Sequence, residues 1–213
     1  MHKPRLPDFF LLTDEARGGD PRESIRALET KYPRGRSRGG VILRHYNDPH
    51  RAELAQELSA LCHKQGLVFI VAADPSLALS VQAAGLHWPQ WKLSCMPLKM
   101  FHPPRWLITA SVHDAAAVRA IRGLRIDATL LSPAFATDSH PDAHPLGPVR
   151  FAALARTLSI PVYALGGMTP STMKRLKPSG ATGFAAISAL TPKRHSHTHA
   201  EYNQTASSAH NAR

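Results

Sequence analysis

The chain has 213 residues, with 26 lysines and arginines against 15 aspartates and glutamates and a formal net charge of +11. That length suits one domain with a sizeable core. The basic residues are scattered and no recognition motif accompanies them, which argues against nucleic acid and leaves an anionic small substrate, an acidic membrane surface or simply a soluble basic surface. Cys62 and Cys95 show no CxxC or metal-ligand spacing, which reads as reduced, cytoplasmic usage. The apolar segment nearest the N-terminus, Phe9 to Leu12, is too short for a signal peptide, and no run is long enough to span a membrane.

Phe9 to Leu12, ending at Thr13-Asp14, predicts a first strand, and Asp20-Pro21 opens a helix with Ile25 and Leu28 near one face. After a basic, glycine-bearing loop, Val41-Ile42-Leu43 predicts a second strand that delivers Arg44, His45 and Tyr46. Asp48-Pro49 then starts a helix in which Leu54, Leu58 and Leu61 share a face up to the stop at Gly66. Leu67 to Ala73 is an unbroken apolar run, as a parallel strand covered on both faces requires. Asp74-Pro75 begins a third helix, closed by Gly85, and Leu86-His87-Trp88 forms a short fourth strand. Pro89 to Pro104 lacks a helical face, so the fourth helix is expected to shrink to a turn or two.

Trp106 to Ala110 predicts a fifth strand leading to Ser111 and His113, with an alanine-rich helix opened by Asp114. Ala128 to Leu131 predicts a sixth strand, and the long loop Ala134 to Pro148 is of a length more often functional than passive. A helix over Val149 to Leu158 follows. Pro161 to Leu165 and Gly183 to Leu190 are apolar runs too short for core helices, which predicts the seventh and eighth strands. Between them a helix starts at Thr169-Pro170 and stops at Gly180.

Strict alternation makes a parallel sheet unavoidable, and eight repeats favour closure. The expected fold is α/β, a (β/α)8 TIM barrel with a reduced fourth helix and a missing or atypical eighth. It occupies residues 1–190 as a single domain. Residues 191–213 form a polar, histidine-rich tail, expected to be disordered because it has little apolar surface to offset ordering entropy. A barrel short of an outer helix leaves apolar strand surface that a homo-oligomer, or the tail, would cover.

Gly166 and Gly167 stand at the end of the seventh strand, and a barrel's phosphate site lies after strands seven and eight. Adjacent glycines there either make a tight turn or offer backbone N–H groups to an anion.

The runs Tyr163 to Pro170 (Tyr-Ala-Leu-Gly-Gly-Met-Thr-Pro) and Ser179 to Leu190 resemble the thiamine phosphate synthase/TenI family. Ile108 to His113, Leu131 to Ser139 and Ala84 to His87 continue the likeness over roughly residues 9–190. The resemblance implies a barrel that binds thiazole phosphate. The phosphate role falls on Gly166, Gly167, Ile187 and Ser188, with Thr137 and Ser139 as further candidates.

In the synthase branch of that family, magnesium and a pyrimidine diphosphate are held by an Asn-Asp after the third strand, an Asp after the fourth and a Gln-x-Arg-x-Lys pattern on the second. Here the third strand ends Ala72-Ala73-Asp74, Lys92 stands where an aspartate is expected, and Ile42 and Tyr46 flank the remaining Arg44. His140 replaces a usual lysine. A lysine about 5 Å from a divalent cation would be repelled by about 7 kcal/mol at an effective dielectric of about 20. The TenI branch has also lost the synthase metal site. It isomerises a thiazole carboxylate phosphate, with a histidine in Ser-x-His implicated, matched here by Ser111-Val112-His113.

The leading expectation is a TenI-like thiazole tautomerase with His113 as acid/base and no cofactor. One alternative is a divergent thiamine phosphate synthase joining hydroxymethylpyrimidine diphosphate to thiazole phosphate, the only case needing Mg2+. The other is a non-catalytic phosphate-binding barrel. Arg44, Lys92 and His140 are candidate anion contacts, and Arg44 and Lys92 could stand in for the ion, although Arg44 fits a pairing with a neighbouring carboxylate equally well. The Ser-Val-His-Asp run also fits a simple helix cap, His87 fits a satisfied, partly buried histidine, and Trp88 and Trp91 fit either a pocket wall or packing.

Overall fold

The computed structural model describes residues 4–17, 19–33, 35, 37–96, 103–137 and 143–191. Along them run β1 (Phe9–Leu12), α1 (Pro21–Lys31), β2 (Gly39–Leu43), α2 (Arg51–Gln65), β3 (Val68–Ala72), α3 (Pro75–Ser80) and β4 (Gly85–Trp88). A 3-10 turn (Gln90–Cys95) is followed by β5 (Leu107–Val112), α4 (Ala115–Ala120), β6 (Ala128–Leu131), α5 (Gly147–Ala155), β7 (Val162–Leu165), α6 (Pro170–Leu176) and β8 (Gly183–Ala186). The strands pair in sequence order, all parallel, and β8 closes onto β1 with Phe9, Phe10 and Leu11 opposite Phe184, Ala185 and Ala186. The expected (β/α)8 barrel is the observed fold.

Side chains alternate along a strand, so a closed barrel wrapped in helices needs apolar residues on both faces of each strand. Phe10, Leu12, Ile42, Ile70, Leu107, Leu130 and Tyr163 fill one layer, the barrel interior. Their neighbours Phe9, Leu11, Val41, Leu43, Val71 and Ile108 meet Ile25, Leu28, Leu54, Leu58 and Phe151 of the helices in the other. The lower interior is plugged by the edge-on pair Phe10 and Tyr163, ring centroids 4.9 Å apart, and the Tyr163 hydroxyl donates to the carbonyl of Pro7. Polar inward positions therefore collect at the opposite, carboxyl end of the strands.

Three helices start on the aspartates that the sequence marks. Asp20 accepts from the amide of Arg22, Asp74 from Leu77 at 2.9 Å and Asp114 from Ala117 at 2.8 Å, each satisfying an otherwise orphaned donor. Some boundaries shift. Helix α2 begins at Arg51 rather than at Asp48-Pro49, because the Asp48 carboxylate instead makes a turn onto the amide of His50 at 2.8 Å. Gly66 ends it in the left-handed conformation, as expected. Helix α3 stops at Ser80, and Gly85 is a strand residue rather than a helix stop. A side chain there would lie 2.0 Å from the carbonyl oxygen of Leu107, so the glycine lets β4 approach β5. Strand β5 runs on to Val112 and takes Ser111 into the sheet, and α5 starts at Gly147, two residues before the expected Val149. The fourth helix is reduced to the 3-10 turn, as the prolines predict. The described residues close on a turn at Thr191, and the tail lies beyond them. Among the described residues no helix is long and apolar enough to cross a membrane.

Candidate active site

The carboxyl ends of the strands surround a cavity of about 1300 Å³. Its lining includes Gly166 and Gly167 after β7, Ile187 and Ser188 after β8, Thr137 after β6 and His113 after β5. Arg44 after β2, His87 on β4 and Ser111 on β5 also line it. Seven of the sequence-selected residues thus meet in one space: Gly166, Gly167, Ile187, Ser188, Thr137, His113 and Arg44. Ser139 and His140 lie outside the described residues.

The glycine pair makes the tight turn that is one of its two sequence readings. Gly166 and Gly167 have φ of +91° and +62°, and a Cβ on Gly167 would stand 2.3 Å from the carbonyl oxygen of Ala136. The main chain after β6 is laced onto this turn, Ala134 donating to the Leu165 carbonyl at 2.8 Å and Phe135 to the Gly166 carbonyl at 3.1 Å. This tight turn engages carbonyls and leaves amides: among the described residues the N–H groups of Gly166 and Gly167 have no acceptor. After β8 the pattern repeats. The carbonyls of Ile187 and Ser188 accept from Leu190 and Thr191, while the Ile187 and Ser188 amides have no described acceptor. Four adjacent backbone donors on a cavity wall form an environment suited to an anion.

His113 is exposed in the cavity, and its Nδ1 lies 2.8 Å from Ser132 Oγ. Its own main-chain amide donates to Gln90 Oε1 at 2.6 Å, and Gln90 in turn donates to Asp114. Asp114 is the helix cap, its carboxyl held below the usual range first by the Ala117 amide and then by Gln90. Asp114 supplies the cap, and His113 lines the cavity. Ser132 was not singled out from the sequence. The signal is register: Val112 pairs with Leu131, so the residues that follow, His113 and Ser132, come out side by side.

His87 is fully buried, and both ring nitrogens are occupied, Nδ1 against Thr109 Oγ1 at 2.9 Å and Nε2 against Ser111 Oγ at 2.8 Å. It is the satisfied histidine that the sequence suggests, more deeply buried than expected. Burial, with smaller contributions from the Arg44 and His113 charges, pushes its pKa down to about 3. The tryptophans divide, Trp88 packing in the core while Trp91 is 64% exposed and lines the cavity edge-on to Tyr46.

The candidate anion contacts divide as well. Arg44 lines the cavity but is paired with the buried Asp14 at 3.1 Å. Lys92 is not on the cavity wall; its ammonium donates to the carbonyl of Ala73 at 2.7 Å and lies 5.7 Å from the Trp91 ring. Arg51, which the sequence reading passed over, donates to the carbonyl of Ala72 at 2.6 Å and pairs with Asp74 at 3.3 Å. Two cations thus occupy the carboxyl end of β3. Both oxygens of Asp74 are engaged, one by the α3 cap and one by Arg51. Among the described residues no group of three or more His, Cys, Asp or Glu side chains could hold a metal. This donor set does not fit magnesium, a hard cation that requires free oxygen ligands.

The fold and the cavity define a (β/α)8 barrel built to take a small ligand at the carboxyl end of its strands. Residues 10–190 match the model of the thiamine monophosphate synthase family, TMP-TENI, and the chain belongs to that family. It is 30% identical to the thiamine-phosphate synthase of Synechococcus sp. strain WH7803 over 88% of this chain, and spans 54% of that longer protein. It is 31% identical to the thiamine-phosphate synthase of Methanoculleus marisnigri, covering 86% of this chain and 87% of that one. Among solved structures it resembles a thiamine phosphate pyrophosphorylase from Pyrococcus furiosus, with TM-score 0.68 and 22% identity, over 87% of this chain and 88% of the other.

Proposed function

We propose that the barrel binds a thiazole phosphate and isomerises it by proton transfer at His113. The observation that carries this reading is the presence, in one cavity, of four backbone amides without described acceptors and an imidazole braced by Ser132. The phosphate is held by the amides of Gly166, Gly167, Ile187 and Ser188, charge-assisted donors that need no metal. Thr137 supports them. With the phosphate anchored, the ring of the ligand lies toward β5, within the wall that carries His113. The imidazole takes a proton from one ring position and returns it at another, so the substrate changes its double bonds and not its composition. An imidazole suits this because its ordinary pKa lies near neutrality, so it can accept and donate a proton in one cycle.

The names of the curated relatives favour a second reading, a thiamine-phosphate synthase. Against it stands the end of β3, where Arg51 and Lys92 sit and Asp74 has no free oxygen. The two readings separate in three measurements on the purified protein. His113→Ala should slow isomerisation of thiazole carboxylate phosphate by at least about 100-fold while phosphate binding is retained; isomerisation at the wild-type rate would remove the catalytic role. Inorganic phosphate at about 100 times its dissociation constant should stabilise the fold by about 2.7 kcal/mol, and magnesium alone should not move the thermal midpoint. Magnesium-dependent formation of thiamine phosphate would overturn the isomerase reading in favour of the synthase. Saturable phosphate binding without either turnover would leave a non-catalytic barrel.

A further inference from the structure

We propose that His87 is a positioning residue that fixes the Ser111 hydroxyl as a hydrogen-bond donor into the cavity, directed at an acceptor on the ring end of the ligand. The proposal rests on three side chains on the inward face of β4 and β5. His87 and Thr109 are paired across the two strands, and Ser111 lies two residues further along β5, on the same face. Thr109 is 0% exposed, and its hydroxyl has one described polar partner, His87 Nδ1 at 2.9 Å. Ser111 likewise has one, His87 Nε2 at 2.8 Å, and it lines the cavity.

A neutral imidazole has one donor nitrogen and one acceptor nitrogen, and this ring is neutral because burial holds its pKa at about 3. Two arrangements follow. If Nδ1 carried the proton, it would donate to Thr109, whose own hydroxyl proton would be left without an acceptor in a dry interior. A stranded buried donor is costly. If Nε2 carries the proton, Thr109 donates to Nδ1, Nε2 donates to Ser111, and every buried donor is satisfied. The second arrangement uses a lone pair of Ser111 and leaves its hydroxyl proton to point away from His87. Ser111 opens onto the cavity, so the proton is presented to whatever lies there. A sequence with histidine at position 87 thereby specifies a ligand with an acceptor, such as a carboxylate oxygen or a ring nitrogen, remote from its phosphate.

What Ser111 contacts rests on the reading that a ring-bearing phosphate occupies the cavity; the orientation of His87 does not. Two measurements on the full chain keep these apart. Nitrogen-15 NMR of the wild-type histidine rings, with His87 assigned by its absence in His87→Asn, should show Nε2 protonated and Nδ1 as acceptor from pH 8 to 5 (about neutral to mildly acidic). An Nδ1-protonated ring overturns the proposal with or without a ligand. The second is a double-mutant cycle read as the dissociation constant for thiazole carboxylate phosphate. Ser111→Ala should weaken binding by about tenfold. His87→Asn keeps a polar partner for Thr109 but is too short to reach Ser111, and should weaken it by a similar factor. The double variant should be no worse than Ser111→Ala alone, because His87 acts only through Ser111. Equal losses from His87→Asn with and without Ser111 would show a merely structural role and overturn the proposal. Wild-type protein that takes up inorganic phosphate but not the ring ester would overturn the Ser111 contact alone. Uptake of neither would overturn the phosphate reading and the contact with it, leaving the NMR result to decide the orientation.

Discussion

At Gly167 the backbone must satisfy two demands at once, a positive φ of +62° and a carbonyl oxygen where a Cβ would be. Gly167→Ala should therefore destabilise the barrel by at least about 2 kcal/mol, the left-handed penalty plus the push against Ala136. Urea unfolding measures it, and phosphate affinity should fall with it because the turn presents the amides. Gly166→Ala should cost less, its nearest contacts being the Cα and Cβ of Pro133 at 3.0 and 3.1 Å. The sequence marks Gly166 and Gly167 clearly; that their amides lack acceptors while their carbonyls are used is a property of the loop laid against them.

Single side chains also decide where elements begin. Asp114 caps α4 through the Ala117 amide and holds Gln90, which in turn accepts from the amide of His113. Asp114→Ala should lower stability by about 1 kcal/mol, read as a fall in the thermal midpoint. It should also loosen the loop that carries His113, so isomerisation should drop more than phosphate binding. The aspartates before α1, α3 and α4 are visible in the sequence because capping is local, acting within three residues. Lengths are less visible. Helix α3 ends at Ser80 and not at Gly85, because Gly85 is required for contact with a strand more than twenty residues away.

For the molecule as a whole, the most consequential buried group is His87. Its folded pKa is lowered to about 3 from 6.5, so the unfolded chain takes up a proton that the folded one refuses. Stability is fully present above pH 6.5 and is lost as pH falls from there toward 3. Between neutrality and pH 5 the loss from this residue should reach about 2 kcal/mol. Urea unfolding of wild type against His87→Asn at the two pH values isolates it: the variant should show a smaller decline, and an equal decline would mean that His87 titrates normally in the fold. The two cations at the end of β3 act at the same scale. Arg51 comes from α2 and Lys92 from beyond β4, and only barrel closure brings both to the carbonyls of Ala72 and Ala73.

The alternation of short apolar runs with capped helices is enough to define the architecture, because burial on both faces of every strand leaves a local imprint on composition. It is enough, too, to place the glycine pair and the Ser-Val-His run at strand ends, where a barrel keeps its chemistry. The partners of those residues are set by parallel register, which joins positions some twenty residues apart: His87 with Thr109, His113 with Ser132. Lys92 shows the limit most plainly. Its charge and its place in the chain suggest an anion contact, yet its ammonium is bound to a carbonyl beside Arg51, because a long flexible side chain goes to whichever acceptor the assembled fold leaves within reach.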